Sequence, residues 1–214
     1  MDISTVDELE AHRSCVANFI RFGGMPGLLS LQDELEKREY LFGIYQTYIA
    51  KDIKSFLRDE SVLSLLPPRT NNKGKELSKT PKFFLYDQGI INAIIQDFRP
   101  SDARQDSGTM REHFVFWELK KNMDIRFSLN YWRTADGKEV DFVLQKDAEL
   151  LPIEVKSSWK PGKLPPGLRS FLRLYPETQK AVVLYDGPEH SVLSGSCTIQ
   201  FAPLYKAQRI LDWM

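Results

Sequence analysis

Asp141, Glu154 and Lys156 are the residues of this chain whose types and spacing could do chemistry. They stand in Glu139-Val-Asp-Phe-Val-Leu144 and Ile153-Glu-Val-Lys156, with twelve residues between the two acids. Two carboxylates can hold a divalent cation, and a lysine beside them can steady an anion or a nucleophile. Together they suit metal-assisted phosphodiester cleavage. Hard carboxylate oxygens completed by water favour Mg2+ or Mn2+ over zinc. The same residues also describe a β-hairpin with a charged, solvated face, which is what an isolated Glu-x-Lys on an amphipathic strand usually is.

Strands must position these groups. Side chains alternate along a strand, so Glu154 and Lys156 share a face, opposite Ile153 and Val155. The same rule sets Glu139, Asp141 and Val143 against Val140, Phe142 and Leu144. Apolar patterning predicts strands at about 125–133, 138–145 and 149–157, with turns at Ala135-Asp-Gly137 and at Lys146-Asp-Ala148. A helix at about 109–122 precedes them, with Glu112, Val115 and Leu119 on one face. Burial of Val115 and Leu119 against the sheet would bring Glu112 to its polar edge. Glu118 is the rival acid, about 120° round the helix from Glu112. A surface glutamate is the plain alternative for either.

Beyond the hairpin, Pro161 to Gly167 reads as a loop and Leu168 to Leu174 as a short helix. Ala181-Val-Val-Leu-Tyr185 is a continuous apolar run, the mark of a strand covered on both faces. A strand near 198–202 and a short terminal helix follow.

The first hundred residues read as mainly helical. Helices are predicted at 5–22 and about 30–58, separated by Gly23-Gly-Met-Pro-Gly27. The stretch 69–82 is a loop with five basic residues and one acid. Lys82-Phe-Phe-Leu-Tyr86 is a short strand, and Asp87 can cap the helix Gly89–Ile95. Polar residues 97–108 suggest a linker. The expected class is therefore α+β, with a helical region at 1–100, carrying the basic loop 69–82, and a second domain at 101–214.

The 214 residues are 42% hydrophobic and carry 29 basic and 29 acidic groups, a net charge of zero. That balance argues against a dedicated non-specific nucleic-acid binder, though not against a local basic groove. No run is apolar enough to span a bilayer, and the N-terminus lacks the features of a signal peptide, so a cytoplasmic protein is expected. Cys15 and Cys197 stand alone, outside any CxxC pattern, as reduced thiols.

Gly108-x-x-x-Glu112, then Asp141, then Glu154-x-Lys156 resembles the PD-(D/E)XK, or restriction-endonuclease-like, nuclease superfamily. The resemblance implies a mixed central sheet flanked by helices. It assigns Mg2+ or Mn2+ to Glu112, Asp141 and Glu154, and gives Lys156 the role of assisting the attacking water. Glu118 matches no superfamily position. Longer strings resemble the C-terminal module of many prokaryotic AAA-type ATPases: Tyr131-Trp-Arg-Thr-Ala-Asp-Gly-Lys-Glu-Val-Asp-Phe-Val-Leu144, Pro152-Ile-Glu-Val-Lys-Ser157, Pro81-Lys-Phe-Phe-Leu-Tyr-Asp-Gln-Gly89 and Gly23-Gly-Met-Pro26.

The chain departs from that plan twice. It has no G-x-x-x-x-G-K-[ST] loop, so it is not the ATPase itself. The passage from Asp52-Ile-Lys-Ser-Phe-Leu57 to Leu65-Leu-Pro-Pro68 is short, so the usual winged-helix segment is reduced or missing. The implied partners are nucleic acid, an AAA-type ATPase and a second copy of the chain.

Two functions from different classes follow. One is a metal-dependent nuclease. The other is a non-catalytic module that keeps the nuclease fold to bind nucleic acid or protein. Beside the central residues, Arg133 could contact a phosphate or pair with Glu139 across the turn, and the pairing is the simpler expectation. Asp87 reads as a helix cap.

Overall fold

Regular capping and stop signals build the first elements of the chain. The computed structural model describes residues 6–56, 63–69, 80–159 and 163–214. Helix α1, Val6–Phe22, ends where Gly23 takes a φ of 79°, a conformation that costs glycine little. A 3₁₀ turn, Pro26–Ser30, follows. The Asp33 carboxylate then accepts from the Leu35 amide at 2.7 Å and opens helix α2, Glu34–Phe56. Strands β1, Leu63–Leu66, and β2, Lys82–Leu85, form a two-stranded sheet. Asp87 caps helix α3, Gln88–Ile95, by accepting from the Ile90 amide at 3.1 Å, as its place in the sequence predicts.

The chain forms two compact units: residues 1–64 with 83–114, and residues 65–82 with 115–214. The sequence suggested a division near residue 100, which would put 101–114 with the sheet. Packing groups those residues with the helices.

The first unit is organised by buried polar groups as well as by its apolar cluster of Phe22, Leu28, Leu41, Ile90 and Ala93. Asp87 also accepts from the Gly24 amide at 2.7 Å, which ties the Gly23-Gly-Met-Pro26 turn to the cap of α3. A Cβ at Gly23 would overlap the Asp87 carboxylate, and one at Gly89 would overlap the Phe22 carbonyl. Asn92 donates to the carbonyls of Ile20 and Arg21, satisfying the end of α1. The buried Arg104 guanidinium binds Asp106, Asn92 and the Asp97 carbonyl. Residues 97–106 are therefore a fixed corner, not the loose linker their polarity suggested, because Arg104 needs every one of those acceptors when buried.

The second unit is a six-stranded mixed sheet in the order β3-β4-β5-β6-β8-β7. Its strands are β3, Phe127–Arg133; β4, Glu139–Lys146; β5, Glu149–Val155; β6, Lys180–Tyr185; β7, His190–Ser194; and β8, Cys197–Pro203. β3, β4 and β5 run antiparallel, β5 pairs with β6 and β6 with β8 in parallel, and β7 returns antiparallel on the edge. Helix α4, Ser107–Asn122, contributes Val115–Asn122 to this unit, and its Phe116 ring lies 6.4 Å from that of Phe142. Helix α5, Pro166–Leu174, covers the other face, with Phe171 in one cluster with Trp132, Val140, Val143 and Tyr175. Both faces of the central strands are thereby sealed, and the mixed sheet between helices belongs to the α+β class.

Two local features differ from the sequence reading. β7 was not expected; its mixed, half-exposed residues hide the pattern, and the Gly195-Ser196 turn with φ of 62° at Gly195 was the available sign. The terminal helix is a 3₁₀ segment, Leu204–Trp213. Within the basic stretch 69–82, residues 70–79 lie outside the described part. Its ends are pinned: Arg69 donates to Gln145 at 2.6 Å, and Lys82 pairs with Glu139. Among the described residues no helix is long and apolar enough to cross a membrane.

Candidate active site

The β3–β4 register slips where the first acid stands. Asn130 faces Val143, but Trp132 faces Val140, so two steps of β3 are matched by three of β4. A bulge of this kind re-aims side chains and breaks strict alternation. Val140 and Val143 accordingly join the same apolar cluster, contrary to the opposite faces that simple alternation assigned them. Asp141 lies inside the bulged segment. Its carboxylate accepts from the Val155 amide of the neighbouring strand at 2.8 Å.

Glu154 comes from that neighbouring strand, and Lys156 follows two residues on. The Lys156 ammonium lies 2.6 Å from the Glu154 carboxylate and 3.6 Å from that of Asp141. The three side chains therefore meet at one point. They do not form a solvated hairpin face: Asp141 is 6% exposed and Glu154 only 1%. Lys156 is the member that reaches solvent, its side chain 30% exposed.

Burial shapes the electrostatics. Glu154 is pushed up to about 8, first by desolvation and then by the neighbouring Asp141 carboxylate, against the opposing pull of Lys156. Its carboxyl group also hydrogen-bonds Asp141. Burial therefore favours the protonated form of Glu154. The first turn of α5 closes the site from above. A Cβ at Gly167 would overlap the Glu139 carbonyl and press on the Glu154 carboxylate, so only glycine lets the helix approach this closely. No sequence signal beyond Pro-Pro-Gly marked this residue.

The remaining sequence candidates are placed as follows. Glu139 accepts ion pairs from Arg133, its cross-strand partner, and from Lys82. Arg133 therefore takes the pairing role. Glu118 pairs with Lys121 at 2.8 Å on α4. Glu112 lies in α4 within the first unit, and the trio lies in the second. Among the described residues no group of three or more His, Cys, Asp or Glu is arranged to hold a metal ion.

Residues 107–206 match the family described as Domain of unknown function (DUF4143). That family is found in AAA-ATPase-associated proteins. The match covers slightly under half of the chain and includes the trio, Glu112, Glu118, Arg133 and Glu139. No curated protein matches the chain.

Proposed function

We propose that the second unit is a nuclease-type domain. Its Asp141, Glu154 and Lys156 centre takes a divalent cation and hydrolyses nucleic-acid phosphodiester bonds. The observation that carries this reading is the convergence of two carboxylates and a lysine from adjacent strands, with burial forcing one acid far from its ordinary protonation range. Groups strained in this way concentrate at functional sites.

The donor set fits a hard cation. Repulsion between the two carboxylates is among the causes raising Glu154, and a cation held by Asp141 and Glu154 would relieve it. Glu112 is the third acid that the resemblance offers. When bound, Mg2+ or Mn2+ supplies Lewis acidity toward a phosphate oxygen and acidifies water. Asp141, held by the Val155 amide, keeps a fixed direction. Glu154 would have to be ionised to hold the cation. Lys156, the member of the trio that reaches solvent, would donate to the attacking water or to a phosphate oxygen.

A specific observation favours a second reading. Lys156 already contacts both acids, and Asp141 also accepts from the Val155 amide, so the trio is a satisfied group as it stands. The unit would then be a non-catalytic module for nucleic acid or protein, a partner or regulator of an AAA-type ATPase, alone or as a homodimer. A cleavage assay on labelled DNA and RNA with Mg2+ or Mn2+ separates the two. The nuclease reading expects cleavage that Asp141→Ala and Lys156→Ala each abolish. Cleavage that survives both substitutions, or none with any substrate, overturns it.

A further inference from the structure

From Lys156 to Pro176 the sequence holds five basic residues and no acid, although the whole chain is neutral. Helix α5 is cut from this stretch. Leu168 and Phe171 point into the unit, and Phe171 packs against Trp132 and Tyr175 with ring centroids 5.4 and 4.4 Å away. Arg169 and Arg173 stand on the exposed side. They are one turn apart, about 6 Å along the helix axis. Lys163 is exposed just before the helix.

Several other cations of the same unit are held in ion pairs. Arg126 pairs with Asp124, Lys138 with Asp136, Lys121 with Glu118, Lys206 with Glu189 and Arg209 with Asp212. Among the described residues the side-chain cations of Lys163, Arg169 and Arg173 have no ion pair or hydrogen bond. The helix that displays the two arginines is also the one whose Gly167 rests on the Glu154 carboxylate. Unpaired guanidinium groups at fixed spacing, beside a site for phosphate chemistry, suit bidentate contact with phosphate oxygens.

We propose that Lys163, Arg169 and Arg173 form the surface that binds the nucleic-acid backbone and leads it to the Asp141–Glu154–Lys156 centre. The inference rests on the nuclease reading and adds to it the element that holds the substrate. The contacts are to phosphate, so they carry orientation and salt dependence but no sequence preference.

The test is fluorescence anisotropy in EDTA, with labelled duplex DNA and single-stranded RNA as separate probes. The proteins are the wild type, the double variant Arg169→Glu with Arg173→Glu, and Arg126→Ala as a control. The double variant should bind its probe at least about tenfold more weakly and lose roughly two phosphate contacts from the salt slope, while the control changes by less than about twofold. Urea unfolding of the double variant should match the wild type, since both arginines are exposed. Equal affinity of the double variant and wild type, or binding of neither probe, overturns the proposal. So does capture by phosphatidylserine vesicles in place of nucleic acid. Probes that bind through the arginines but are never cut with Mn2+ leave this surface standing and defeat the nuclease reading. Cutting with undiminished binding by the double variant does the reverse.

Discussion

The Val155 amide donates to the Asp141 carboxylate at 2.8 Å, so the strand that carries Glu154 also holds the other acid of the pair. This bond crosses from β5 to the bulged segment of β4. It fixes Asp141 through backbone, independently of any cation. Asp141→Ala should therefore leave a buried donor without an acceptor and cost about 1–3 kcal/mol in urea unfolding. Asp141→Asn keeps an oxygen for the amide and should cost clearly less. Equal stability of the alanine variant and the wild type would contradict the arrangement.

Glu154 makes stability depend on pH in a defined direction. In the folded protein it keeps its proton up to about 8, whereas in the unfolded chain it loses it near 4.5. Between these values the folded state binds more protons, so stability falls as pH rises through the window. The slope approaches about 1.4 kcal/mol per pH unit. Glu154→Gln has no proton to lose, and its stability measured between about pH 5 and about pH 8 should be flatter than that of the wild type. Parallel curves would show that Glu154 is ionised throughout.

Gly167 sets the distance between α5 and the acids. Gly167→Ala should destabilise by about 1–3 kcal/mol, because the methyl group overlaps the Glu139 carbonyl, a backbone atom with little room to move. Gly43 supplies the contrast. It lies exposed inside α2 with nothing within 4 Å of an added Cβ, so Gly43→Ala should stabilise by about 0.5–1 kcal/mol. Thermal unfolding of the two variants should move in opposite directions.

Much of the fold was legible because it follows local rules. Asp87 sits immediately before an apolar helical run and caps it. The Ala181–Tyr185 run has no polar face and lies between two parallel partners. The meeting of Asp141, Glu154 and Lys156 followed from a hairpin with short turns. What alternation could not convey was the depth of the site. A bulge shifts Asp141 out of the simple two-residue period, and α5, a separate element after β5, covers the strands. The acids therefore read as surface residues in sequence and are buried in the fold. Arg104 misled for a related reason: its partners Asn92, Asp97 and Asp106 look like linker residues until the chain turns back on itself. The edge strand β7 has too little apolar pattern to announce itself.

Asp141 and Glu154 together are expected to bind a divalent cation. Titration calorimetry with Mn2+ on the wild type, Asp141→Asn and Glu154→Gln measures this directly. Binding is expected at millimolar Mn2+ or below for the wild type, with affinity rising as pH increases because Glu154 must release its proton, and at least about tenfold loss in either variant. No heat of binding at millimolar metal, or equal affinity in all three proteins, would contradict it.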